Sequence, residues 1–353
     1  MGMMTSLFGK TGDGQEAKIV TIMNKNGLGI EVTNYGATLV SATVPDEKGH
    51  IEDVILGYED VTDYVANGGF FGAVIGRNGN RIGKAKVTIN GVEYQMEQNE
   101  NENSLHSGTR GFDKAIWDME LLEDEATVKF THHSPDGDEG LPGNFDVSVS
   151  YTLTDENEIK IHYTGVSDAD TIANMTNHSY FNLAGHDKGT ILDHTLWMDA
   201  DAFTVIDAES IPTGELRNVE GTPMDFRKTR RIGDDIDDTY EQIQLAHGYD
   251  HNFVLNQNGE EKLRRIAKVT DPASKRTMEV YTDCAGVQFY TGNFIEKTQI
   301  GKGGIPYQKR SGLCLETQFF PDAPNHENFP SSILKAGEVY DTTTVYKFGF
   351  ECK

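Results

Sequence analysis

The chain has 353 residues, with 31 basic and 56 acidic side chains and a formal charge of −25. Such a surface repels phosphate backbones and anionic lipid, so neither nucleic acid nor membrane is an expected partner. Hydrophobic residues at 37% and charged residues at 25% suit a globular protein, while 37 glycines exceed the usual ~7% and point to many turns between short strands.

In chain order, Met1-Gly2-Met3-Met4-Thr5-Ser6 fits an N-myristoylation pattern. One acyl chain without a basic patch anchors poorly, so a chance match is the better reading. The first residues lack a basic head and a long apolar run, and no secretory leader is expected. Residues 38–44 read as a strand, and residues 59–65 as two turns of helix at most. Val87 and Ile89, then Asn90-Gly91, then Val92, Tyr94 and Met96, predict a hairpin on a type I′ turn, because both turn residues tolerate positive φ. Residues 128–132 are strand-like. Phe145, Val147, Val149, Tyr151 and Leu153 alternate with polar residues, and Ile159, Ile161 and Tyr163 resume the alternation after a turn at 154–158. Residues 238–245 could form a second short helix. Residues 278–282, 287–290, 313–319 and 344–350 complete the strand-like runs. There is no linker, composition break or fixed-period repeat. The expected architecture is all-β: a large antiparallel β-sandwich with few short helices, as one domain over residues 1–353.

Cys284, Cys314 and Cys352 are odd in number and lack CxxC spacing, which argues against a disulfide framework or a zinc site and favours a reducing cytoplasm. Of the two glycosylation triplets, Asn174-Met175-Thr176 and Asn177-His178-Ser179, the second surrounds a candidate functional residue, where a glycan would be incompatible with function. There is no GxGxxG, Walker loop, HExxH or GxSxG. His132 and His133 are adjacent on a strand and point to opposite faces, so they cannot easily share a metal. No metal, nucleotide or other cofactor is expected.

Polar-dense segments remain at the ends of strands. They are Gly76-Arg77-Asn78-Gly79-Asn80-Arg81-Ile82-Gly83, Asn103-Ser104-Leu105-His106-Ser107-Gly108, Thr176-Asn177-His178-Ser179-Tyr180-Phe181-Asn182-Leu183, Tyr249-Asp250-His251-Asn252-Phe253, Gly286-Val287-Gln288-Phe289-Tyr290-Thr291-Gly292-Asn293 and Cys314-Leu315-Glu316-Thr317-Gln318-Phe319-Phe320-Pro321. Their order over most of the chain resembles the aldose 1-epimerase (galactose mutarotase) family. The resemblance implies a supersandwich with an open cleft on one sheet, His178 as general acid and Glu316 as general base. It implies sugar contacts from Asn80, Arg81, His106, Tyr180, Asp250 and Gln288, a free aldohexose such as galactose or glucose as substrate, and no cofactor. Gly79 departs from the alanine expected there.

The residue types suit that chemistry. Opening a hexose hemiacetal takes a proton from O1 and gives one to O5; a carboxylate suits the first task and an imidazolium the second. On residues 313–320, alternation puts Cys314, Glu316, Gln318 and Phe320 on one face. Gln288 and Tyr290 likewise share a face. The acid and base are expected to face each other across a pocket of pyranose width.

Blander readings exist for each residue. His178 or Glu316 alone would be a structural histidine and a polar strand position. Arg81 and Asp250 could simply pair with each other. His106 could be a buried loop residue, and Asn80, Tyr180 and Gln288 turn or core residues. His251 should turn away from Asp250 by alternation. Phe71, Trp197, Phe294 and Phe320 suit core packing better than sugar stacking. Three rival functions are a hexose-phosphate 1-epimerase using Arg77 and Arg81, a glycoside hydrolase using Glu316 and Asp250, and a non-catalytic sugar-binding module. Monomer and homodimer are both compatible with the sequence.

Overall fold

The structure, a computed structural model, describes residues 2–66, 68–257, 259 and 261–351. Met1, where the acylation pattern starts, and Cys352 lie outside the described residues. Among these residues every ladder between named strands is antiparallel, and three sheets hold most of the strand residues. A five-stranded sheet takes Gly2–Lys10, Glu16–Met23, Gly29–Thr33, Thr38–Pro45 and Ile51–Asp53 in chain order. A nine-stranded sheet runs in spatial order Asp118–Leu122, Thr127–Ser134, Phe145–Leu153, Glu158–Ser167, Val339–Phe350, Arg276–Thr282, Arg264–Thr270, Thr195–Met198 and Arg230–Arg231. The second five-stranded sheet is ordered Pro212–Asn218, Ala200–Ile206, Asp250–Leu255, Gly286–Tyr290 and Cys314–Gln318.

Alternation decides which face is buried. Phe145, Val147, Val149, Tyr151 and Leu153 are buried, as are Ile159, Ile161 and Tyr163 on the paired strand. They join a continuous apolar cluster fed by all three sheets, including Val20, Ile30 and Leu39 from the first and Phe203, Phe253, Phe289 and Leu315 from the second five-stranded sheet. The Asn90-Gly91 hairpin pairs Lys86–Ile89 with Val92–Gln95, and both turn residues have positive φ, 52° and 79°. The described α-helices are Val61–Ala66 and Glu241–Ala246, both short. The chain is thus an all-β sandwich, as its sequence pattern implies.

Several strands escaped the sequence pattern. Gly2–Lys10 is a sheet edge with Met4 and Leu7 exposed, so its alternation carries little burial signal. In that strand Gly2, the acylation-pattern glycine, pairs with Met23. His132 packs against Phe112 and Trp117, whereas His133 meets Asp146 at 2.7 Å on the exposed side, so the two histidines do face apart.

Arg77 is no pocket residue, contrary to its sequence-based placement near the site. Its side chain is 0% exposed and donates to the carbonyls of Ser134, Pro135, Pro142 and Gly143 and to the hydroxyls of Ser134 and Thr171. It ties its own loop to the 134–143 connection and to Thr171. Arg77→Met leaves several buried carbonyls unsatisfied, at ~1–3 kcal/mol each. A thermal melt should show a loss of about 3 kcal/mol or more. Activity per folded molecule should survive at low temperature.

Candidate active site

Three strands of the second five-stranded sheet build the floor. The triplets Asn252–Gln288–Glu316 and Asp250–Tyr290–Cys314 lie in register across them. Residues directly opposite on antiparallel strands share a face. Asp250, Gln288, Tyr290, Cys314 and Glu316 therefore stand on the same side, and His251, Phe253, Phe289 and Leu315 point into the core. His251 is buried beside Phe203, away from Asp250's face.

His178 arrives from elsewhere. Thr176–Asn177 pairs with Val74–Ile75, and Phe181 then exchanges backbone hydrogen bonds with Leu313 at the edge of the Cys314–Gln318 strand. That bridge sets the imidazole beside the carboxylate: His178 Nε2 lies 3.7 Å from Glu316 Oε1. The two are neighbours on the floor, not opposed walls as the sequence had suggested. O1 and O5 of an aldose are bonded to one carbon, so adjacent groups suit them. The imidazole plane is stacked between Tyr180 (4.9 Å between ring centroids) and Phe70 (5.8 Å).

The third contribution is a pair of loops. Asn80 and His106 are left-handed, at φ 61° and 52°. Asn80 N–H donates to His106 Nδ1 at 3.0 Å, and Arg81 pairs with Leu105. Arg81 Nε and Nη2 donate to the two carboxylate oxygens of Glu100 at 2.6 and 2.9 Å. Its ion-pair partner is thus Glu100, not Asp250. Asp322 Oδ1 accepts from Gly83 N–H at 2.9 Å and so fastens this loop to the segment that follows Glu316. Gly79 N–H donates to Asn174 O, and a Cβ there would meet Thr176 Cγ2 at 3.1 Å and Asn174 O at 3.2 Å. Gly79→Ala therefore requires a small shift of this loop. A modest rise in KM at nearly constant kcat is expected in steady-state kinetics.

The result is an open pocket of about 460 Å³. Asn80, Arg81, His106, His178, Tyr180, Asp250 and Glu316 all line it. Gln288 sits behind, with Nε2 donating to Asp250 Oδ1 at 2.7 Å; Gln318 Nε2 in turn lies 3.4 Å from Gln288 Oε1. Glu100 and Phe70 are lining residues that sequence reasoning missed. Glu100 sits in the polar run Asn99–Asn103 just before the His106 segment, which reads as a turn; Phe70 carries no local signal at all. Among the aromatic candidates, Phe294 stands at the rim, 57% exposed. Phe71 is in the core, Phe320 packs on Phe329, and Trp197 receives the Arg265 guanidinium.

Burial dominates the electrostatics. It pushes His178 down to about 4. Burial and the nearby Asp250 push Glu316 well up, against the pull of Arg81. Burial, His178 and Arg81 hold His106 well below the usual histidine range. Asp250 is raised by burial despite Arg81 and Gln288. Glu316 Oε2 is buried and has no hydrogen-bond partner within the described protein. Such an orphan is costly unless a ligand completes it.

His106, His178 and Glu316 offer potential ligand atoms within 4.8 Å of one another. Their chemistry fits a cation poorly. His106 Nδ1 accepts a backbone N–H, so its one proton sits on Nε2, the atom facing the pocket. A metal-bound histidine normally donates from its other nitrogen, and here that nitrogen is an acceptor. The Arg81 guanidinium beside the trio adds repulsion.

The fold and site define a β-sandwich protein with an open polar pocket that has a buried imidazole and a buried carboxylate side by side on its floor. The family profile described as Aldose 1-epimerase matches residues 18–347. The chain is 44% identical to the galactose mutarotase of Homo sapiens over 321 residues, 91% of each chain. It is 37% identical to the aldose 1-epimerase of Escherichia coli K12 over 340 residues, covering 95% of this chain and 96% of that one. The crystal structure of galactose 1-epimerase from Lactobacillus acidophilus superposes with a TM-score of 0.87 at 29% identity, covering 99% of both chains. The chain belongs to the aldose 1-epimerase family, and it is an isomerase.

Proposed function

We propose that this pocket interconverts the α and β anomers of free aldohexoses such as galactose and glucose, with Glu316 taking the O1 proton and His178 giving one to O5. The adjacency of a buried imidazole and a buried carboxylate carrying an unpartnered oxygen supports this above all. Imidazolium with carboxylate and neutral imidazole with carboxylic acid hold the same number of protons. Ring opening converts the first combination into the second; reclosure after rotation about C1–C2 restores the first. Burial disfavours charge in both groups, which narrows the gap between the two states.

Asn80, Arg81, His106, Tyr180 and Asp250 are proposed to hold the sugar hydroxyls, with Gln288 supporting Asp250 from behind. His106 acts as a neutral Nε2–H donor. Arg81 is the sole lysine or arginine lining the pocket among the described residues, and it already serves Glu100. A phosphate dianion would need more cations, so unphosphorylated hexose is the better substrate. The apolar cluster shared by all three sheets supports reading the chain as one domain. Cys284 and Cys314 are free and buried, which supports a reducing cytoplasm; no described helix is long and apolar enough to cross a membrane.

Polarimetry on freshly dissolved α-D-galactose and α-D-glucose tests the reading. The enzyme should speed the drift to equilibrium rotation, and an unchanged drift with both sugars refutes it. For Glu100→Gln, which loosens the Arg81 fork, the same assay should show a KM raised about fivefold, the loss of roughly 1 kcal/mol from a charged hydrogen bond.

A further inference from the structure

We propose that Cys314 is a positioning residue for His178: its thiol holds the Nδ1 side of the ring as a deliberately weak partner, so that the imidazolium stays a strong acid. This rests on the acid role of His178 proposed above. Cys314 lies two residues before Glu316 on the same strand face. It is 0% exposed, and its Sγ is 3.5 Å from His178 Nδ1. The opposite edge of the ring points Nε2 toward Glu316 Oε1. Tyr180 and Phe70 restrain the ring plane from its two faces. The Cys314 contact adds a side-chain partner at the ring edge, on Nδ1.

The kind of partner matters. A carboxylate or carbonyl at Nδ1 accepts a strong N–H bond and stabilises the imidazolium, which raises its affinity for the proton. A thiol is a weak acceptor and a weak donor. It can accept Nδ1–H while the ring is charged or has just released its Nε2 proton. It can also donate S–H when Nδ1 is bare. Burial, Glu316 and Asp250 push the Cys314 thiol well up, so it does not become a thiolate that would pair with the imidazolium. The acid thus keeps its orientation without losing its readiness to release a proton onto O5. No covalent step at sulfur is involved.

Three variants separate orientation from packing. Cys314→Ser keeps a hydroxyl that bonds Nδ1 more strongly. Its kcat should stay within about threefold of the parent, and the acid limb of the pH–kcat profile should move upward, because a better acceptor stabilises the imidazolium. Cys314→Ala and Cys314→Val both remove the partner, and valine also fills the space. Both should lose about tenfold in kcat at nearly constant KM, about what one hydrogen bond is worth. Nitrogen-15 NMR of the His178 ring should show a changed Nδ1 environment in all three variants. Thermal melts confirm folding. Parental kcat in Cys314→Val would show that Cys314 only fills space, and an unmoved acid limb in Cys314→Ser would show that it does not tune the ring; either overturns the proposal. If His178→Asn keeps full activity, the acid assignment itself fails, a result distinct from any outcome at Cys314.

Discussion

His178→Asn and Glu316→Gln should each remove nearly all acceleration of mutarotation while leaving the fold intact. Both substitutions keep approximate shape and remove the titrating group. Each positioned acid or base contributes typically ~10²–10⁴-fold, and that is the loss expected in kcat from either change. In the proposed reaction each group exchanges its own proton with the sugar in the same ring-opening event, so the double variant should be scarcely worse than either single one. KM should move little, because neutral side chains still occupy the floor. Polarimetry at several sugar concentrations reads both parameters; a single variant with parental kcat would contradict its assigned role.

Arg81→Met should lower kcat/KM by about 10²-fold, roughly the worth of a charged hydrogen bond plus an uncompensated partner. The guanidinium anchors Glu100 and offsets the buried charges of Asp250 and Glu316. Without it both carboxyl groups shift further up. Glu316 then keeps its proton to a higher pH, so the alkaline fall of activity, which follows the group with the higher pKa, should move further toward alkaline values. Arg81→Lys supplies the charge without the fork. It should restore the pH dependence more fully than it restores KM. If the pH–rate profile of Arg81→Met overlays that of the parent, Arg81 does not act on Glu316 electrostatically.

Much of the site was legible because strand alternation is a local property. The period-two pattern at Phe145–Leu153 named its buried residues, and the same rule placed Cys314 and Glu316 on one face and turned His251 away from Asp250. Arg77 was misplaced for an equally physical reason. Its chain neighbours border the pocket, but the side chain runs the other way to carbonyls roughly 60 residues distant in sequence, which no local pattern records. Glu100 was missed because a carboxylate in a polar turn looks solvated until its Arg81 partner is seen.

By itself the sequence determined an antiparallel sandwich, its turn chemistry at Asn90-Gly91, the family, and which residue types were available for proton transfer. Those follow from short-range sterics, hydrophobic periodicity and motif order, all of which are written along the chain. Only the tertiary structure decided that Gln288 and Glu316 lie opposite each other, that the Phe181–Leu313 bridge brings His178 to 3.7 Å from Glu316, and that the proposed acid and base sit side by side. Register between strands distant in sequence is fixed by packing of the whole core. It is also burial that moves His178 and Glu316 away from their ordinary pKa values.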